Sequence, residues 1–100
     1  MKSHRIIGGD GAALIELISS RLARAQAHDW GALVDAYLFD AAKVGNRIVA
    51  YVYEDLSGAL DNGMTVVTPP VELVSEIDDM ALFRSLTGSD NYVLVSRLPV

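Results

Sequence analysis

Apolar residues recur at three- and four-residue steps early in the chain. Leu14, Ile15, Ile18, Leu22 and Ala25 form one stripe if residues 12–27 are helical. Asp10 precedes the stripe, after Gly8-Gly9, and its carboxylate suits the free amides of a first turn, so the helix is expected to begin there. Arg21, Arg24 and His28 stand near the carboxyl end, where the helix dipole favours positive charge. A second helix is expected at once, capped by Asp29. Trp30, Leu33, Val34, Tyr37, Leu38, Ala41 and Val44 share a helical face, and Gly45-Asn46 supplies a left-handed stop. The competing reading is a strand over 34–40 that turns through Gly45-Asn46 into the next strand, as Tyr37, Phe39 and the Gly-Asn pair suggest. The seven matches to the helical template favour the helix.

From Arg47 the period changes. Ile48-Val49-Ala50-Tyr51-Val52-Tyr53 is dense in β-branched and aromatic residues and reads as a mostly buried strand. Residues 54–63 form a connection in which Asp61-Asn62-Gly63 favours a tight turn. Residues 64–67 return as a strand, ended by Pro69-Pro70, which cannot donate to a central ladder. Val71 to Ile77 alternates apolar and acidic residues as an edge strand would. The same stretch, extended through 72–86, also fits a helix with Ser75 as cap and Asp78 three residues on. With residues 82–86, a turn at 87–91 and Tyr92-Val93-Leu94-Val95, a closing β-meander is the preferred reading. The fold class is α+β: a single domain, residues 1–100, with two N-terminal helices packed on a C-terminal antiparallel β-sheet, residues 72–86 being helical in the alternative.

The apolar fraction of 51% is that of a folded chain, and the absence of cysteine leaves neither disulfides nor thiolate metal sites, so stability rests on packing. Only Ile6 and Ile7 separate the basic N-terminus from Gly8-Gly9, too few for a signal-peptide core, and no apolar run is long enough to span a membrane. A cytoplasmic protein is expected. Charge alters this picture most. The net charge is −5, and between Arg47 and Arg84 stand seven carboxylates, Glu54, Asp55, Asp61, Glu72, Glu76, Asp78 and Asp79, without one basic residue. The eight basic residues do not cluster, so direct binding to a phosphate backbone is not expected.

No motif specifies a reaction. His4 and His28 have no second ligand at metal-binding spacing, and His28 reads as a helix-terminal surface histidine. Gly8-Gly9-Asp10-Gly11 does not make a phosphate cradle, because no Walker lysine follows and Asp10 would oppose the phosphate. No Gly-x-Ser-x-Gly elbow surrounds any serine. Glu54-Asp55 and Asp78-Asp79 are adjacent pairs whose side chains diverge, and Asp61-Asn62-Gly63 does not continue into a calcium loop. No catalytic residue, metal or cofactor is expected.

The aromatic residues mostly occupy core positions, but Trp30, at the start of the expected second helix, is a candidate anchor for a partner or a staple across the helical corner. The expected function is therefore that of a small acidic, non-enzymatic binding protein. Asp29, Trp30, Glu54, Asp55, Asp61, Glu76, Asp78 and Asp79 would contact a protein partner with a basic surface, with fast, salt-sensitive association. A stoichiometric inhibitor that docks where the partner would grip nucleic acid is the concrete version. In size, charge and lack of motifs the chain resembles phage or plasmid anti-defence proteins such as anti-CRISPR and antirestriction proteins, a likeness of type that no residue pattern carries. The alternative is a structural or assembly subunit that forms homo-oligomers, its acids keeping a sheet edge soluble. Whether the two acidic loops, 54–61 and 76–79, share one end of the sheet decides whether they form one face.

Overall fold

Residues 2–99 are described by a computed structural model, with side chains from residue 13 onward. One helix, α1 (Lys2–Ala27), precedes six strands: β1 (Ala36–Val44), β2 (Arg47–Tyr53), β3 (Thr65–Val67), β4 (Val71–Ile77), β5 (Met80–Ser85) and β6 (Asn91–Leu94). Helix α1 runs through Gly8, Gly9 and Gly11, so Asp10 lies within the helix and is not its cap. Glycine costs a helix interior about 1 kcal/mol but does not forbid it as proline does. The side chains of Lys2, His4 and Arg5 lie outside the described residues.

The expected second helix is a strand. Ala36, Leu38 and Ala41 of β1 are buried on one face and Phe39 on the other, with Tyr37 packed beside it. A central strand covered on both faces carries a nearly continuous apolar run, which also satisfies helical spacing. Asp29 caps no helix; its Oδ1 accepts the Gly31 amide at 2.9 Å in the loop that leads to β1. Gly45-Asn46 is the two-residue turn between β1 and β2, where Val44 faces Arg47 and Gly45 takes φ 62°. The helical alternative for residues 72–86 also falls, since β4 and β5 pair through the Asp78-Asp79 turn.

Strand order is β3-β2-β1-β6-β5-β4, two antiparallel meanders joined where β1 runs parallel to β6, with Ala36 opposite Tyr92 and Leu38 opposite Leu94. The sheet is thus mixed, not purely antiparallel, because the chain crosses from the β3 edge to the β4 edge before returning to β1. That crossing is only Thr68-Pro69-Pro70. A chain rising at most about 3.6 Å per residue holds Val67 and Val71 within about 14 Å of each other. Six flat strands spaced about 4.8 Å apart would set the edges about 24 Å apart. The sheet must therefore curl. The crossing is fastened by Thr68 N–H to Ile48 O at 2.9 Å, Val71 N–H to Asn46 O at 2.7 Å, and Leu86 N–H to Pro70 O at 2.9 Å.

Curling creates two apolar cores. Inside the curl, Leu38, Ile48, Val52, Val71, Phe83 and Leu94 bury one another. On the other face, Phe39, Met80, Leu82, Val93 and Val95 lie under Ile18, Leu22 and Ala25 of α1. Among the described residues, only the C-terminal half of α1 makes this contact. A 26-residue helix is about 39 Å long, and the molecule accordingly measures 52 × 28 × 27 Å. Among the described residues, no helix is long and apolar enough to cross a membrane.

Candidate functional site

Backbone geometry at the end of β2 is set by carboxylates. Glu54 adopts φ 52°, uncommon for a residue with a Cβ, and is held there by a reciprocal pair: its N–H donates to Asn62 Oδ1 at 2.8 Å and Asn62 Nδ2 donates to Glu54 Oε2 at 3.0 Å. Asp55 Oδ2 accepts the Ser57 hydroxyl at 2.7 Å and the Leu60 amide at 3.0 Å. The Ser57 hydroxyl foremost, and then the Leu60 amide, hold the Asp55 carboxyl below its ordinary pKa. Leu56 N–H reaches Asp35 O at 2.8 Å, which ties this loop to the residue before β1.

Two further acids arrive from distant sequence. Asp35 Oδ2 accepts the Asn91 amide at 2.7 Å, while the Ser85 N–H donates to Asp90 O at 2.9 Å and the Asp90 N–H donates to the Ser85 hydroxyl at 3.0 Å. Because β1 and β6 are parallel neighbours, Asp35 and Asp90 precede adjacent strands at the same end of the sheet. With Asp55 they rim a concavity of about 400 Å³ at the open end of the curl, walled by Leu38, Val52, Leu60 and Val66. Tyr92 stands among them. Burial first, and then the charges of Asp90, Asp35 and Asp55, push its hydroxyl up to about 12. The Tyr37 hydroxyl is raised in the same way, by burial and by Glu54. The site is an apolar hollow with a carboxylate mouth. It can receive an extended apolar group that ends in a positive charge, such as a lysine or arginine side chain.

The structure separates the expected contact residues into three places. Asp55 belongs to the mouth, Glu54 lines an adjoining hollow with Tyr37 and Asn62, and Asp61 stands exposed on the same loop. The register runs Tyr53–Tyr37–Val93–Leu82–Ser75 across the sheet, so β2 ends level with the start of β1, while the Asp78-Asp79 turn lies at the far end. The seven carboxylates therefore do not form one face. At the far end Asp79 pairs with Arg24 at 2.5 Å, and Glu76 with Arg97 at 3.8 Å. The Arg24 hydrogen bond is the main reason the Asp79 carboxyl sits below its ordinary pKa, with charge from Arg24 and Arg21 added. Arginines outside the acid-only stretch thus offset part of its charge.

Asp29 and Trp30 occupy the third place, the C-terminus of α1. The Trp30 indole N–H donates to Ala25 O at 2.9 Å, satisfying a carbonyl of the last turn, and its ring meets His28 edge-on at 4.4 Å. Half-buried on the helix-covered core, Trp30 closes the corner between helix and sheet.

Asp35, Asp90 and Tyr92 were not singled out by the sequence. Their signal is weak in one dimension: each acid directly precedes an apolar strand, and only the parallel β1–β6 pairing makes them neighbours. Among the described residues, no three histidines or carboxylates converge closely enough to hold a metal ion. The Gly8–Gly11 segment lies inside α1, so no helix start is presented there to an anion.

No protein-family model matches this chain, and neither a curated protein nor a solved structure matches it at a significant level.

Proposed function

We propose that this is a non-enzymatic binding protein whose carboxylate-rimmed hollow engages a basic surface of a protein partner, one lysine or arginine side chain of that surface entering between Asp35, Asp55 and Asp90. The observation that carries the reading is the grouping of these three acids at the mouth of an apolar concavity, with Glu54 lining the adjoining hollow. The ion pairs found among the described residues both lie at the opposite end of the sheet. Arg84, which faces Asn91 in the sheet, gives its Nε to the Asn91 amide oxygen. Three carboxylates around a half-buried tyrosine repel one another, and a cation from outside relieves that repulsion. A stoichiometric inhibitor of the anti-CRISPR or antirestriction kind, covering a surface that otherwise grips nucleic acid, is the concrete form of this reading.

The test is binding of a short arginine- and lysine-rich peptide, followed by calorimetry at rising salt. Asp90→Asn should weaken binding about two- to fivefold at low salt, and Asp78→Asn should leave it unchanged. Equal losses from both ends of the sheet, or binding indifferent to salt, would remove the hollow as the docking site.

A further inference from the structure

Asp40 breaks the regularity of a central strand. It adopts φ 51° where the pairing of β1 with β2 shifts register between Phe39 and Ala42, and a bulge of this kind bends a strand and re-aims a side chain. The left-handed region is uncommon for a residue with a Cβ, and here the surroundings hold it. The Asp40 N–H donates to the Ser96 hydroxyl at 2.9 Å, the Ala41 N–H donates to Ser96 O at 3.0 Å, and Ser96 is buried. Glycine takes such a position without strain, so a carboxylate stands here at a conformational cost.

That carboxylate borders a groove of about 280 Å³ on the helix-covered face of the sheet. Leu14 and Leu17 of α1 line one side, and Phe39, Tyr51 and Tyr53 of the sheet line the other. Arg21, four residues past Leu17, brings the opposite charge to the same groove. Arg21 and Asp40 do not pair with each other: the ion pairs among the described residues are Arg24 with Asp79 and Arg97 with Glu76. The one side-chain partner of the Asp40 carboxylate is the Ser96 hydroxyl at 3.5 Å. An apolar, aromatic lining thus carries one cation and one anion that a ligand can meet. The volume lies just below the range of about 300–1,000 Å³ usual for drug-sized molecules, which suits a ligand of amino-acid size. A ligand with a single charge would cover the other groove charge without matching it. A zwitterion matches both.

We propose that this groove binds an α-amino acid with a large apolar side chain, its carboxylate on Arg21, its ammonium on Asp40 and its side chain between the leucines and the tyrosines. The acidic hollow is walled by Leu38 and Val52 inside the curl, on the other face of the sheet, so the groove stands independently of the function proposed for the hollow. The probe is L-phenylalanine, titrated into the full chain and followed by NMR. Methyl signals of Leu14 and Leu17 and ring signals of Tyr51 should shift together and saturate. Phenethylamine, which lacks the carboxylate, and 3-phenylpropionate, which lacks the ammonium, should each bind about three- to fivefold more weakly. Arg21→Gln should lower the affinity for L-phenylalanine to that for phenethylamine, and Asp40→Asn should lower it to that for 3-phenylpropionate. Asparagine tolerates the left-handed region as aspartate does, so Asp40→Asn should leave the circular dichroism spectrum unchanged. No saturable shift with L-phenylalanine would overturn the proposal. So would equal binding of all three probes, which would mean that the groove takes apolar surface without reading charge, or a self-association that covers the groove and shuts the probe out. Binding of the basic peptide at the hollow should be unaffected in every arm, which separates this outcome from that of the function test.

Discussion

Tyr92 is the residue that reports most directly on the acidic mouth. Its folded pKa is raised to about 12, so between about pH 10 and 12 the unfolded chain releases a proton that the folded chain keeps. The stabilising contribution is complete below the ordinary tyrosine pKa and is lost as pH climbs through the folded value. Spectrophotometric titration should show Tyr92 ionising late, and Asp90→Asn should bring that ionisation to lower pH. A titration unchanged by Asp90→Asn would remove Asp90 from the causes. Asp79 behaves with the opposite sign: its carboxyl is depressed, chiefly by Arg24, so its contribution is present above the ordinary aspartate pKa and is lost as pH falls through the depressed one. Both partners are well exposed, so the effect is small. Asp79→Asn should flatten the acid limb of a stability–pH curve slightly. At the β1–β2 turn, Gly45 holds φ 62°, where a Cβ is strained. Gly45→Ala should lower stability by about 1 kcal/mol in chemical denaturation.

Elements differ in how plainly the sequence declares them. β2 and β6 are dense in β-branched and aromatic residues and are legible from their composition, whereas β4, whose residues also fit a helix over 72–86, is settled only by its pairing with β5. The C-terminal half of α1 is legible because its stripe has only one face to bury. β1 is not, because Leu38 and Phe39 are both buried on opposite sides, and an all-apolar run carries no period that separates strand from helix. Along α1 the difference between covered and uncovered stretches of one stripe can be measured. Leu22 packs on the helix-covered core, and Leu22→Ala should cost about 2 kcal/mol of stability. Leu14→Ala, on the same stripe, should change stability by less than about 0.5 kcal/mol. Equal costs would mean that the helix is clasped along its whole length.

Across the whole molecule, the site depends on contacts that no local pattern announces. Glu54, Asp55 and Asp61 could be picked out because they share one loop, whereas Asp35 and Asp90 join Asp55 only through the parallel pairing of β1 with β6, between residues more than fifty positions apart. That pairing follows from the curl, and the curl depends on the short crossing at Thr68-Pro69-Pro70. Thr68 is buried at the centre of this arrangement. Its Oγ1 accepts the Ile48 amide at 3.0 Å and donates to Pro69 O at 2.8 Å, while its own N–H reaches Ile48 O. Thr68→Val keeps the shape and removes the hydroxyl, leaving the buried Ile48 amide without that partner and the Pro69 carbonyl without its donor. A loss of about 1–3 kcal/mol is expected, read as a shifted denaturation midpoint with an unchanged slope. Thr68→Ser should recover most of it, since the hydroxyl returns and only a methyl group is missing. Because Thr68 also lines the hollow, the same substitution carries a second readout: a loosened crossing should lower the late tyrosine ionisation as water reaches Tyr92. A destabilised Thr68→Val protein whose Tyr92 still ionises near 12 would show that the hollow keeps its shape without this fastening, and that the curl is held by the apolar core alone.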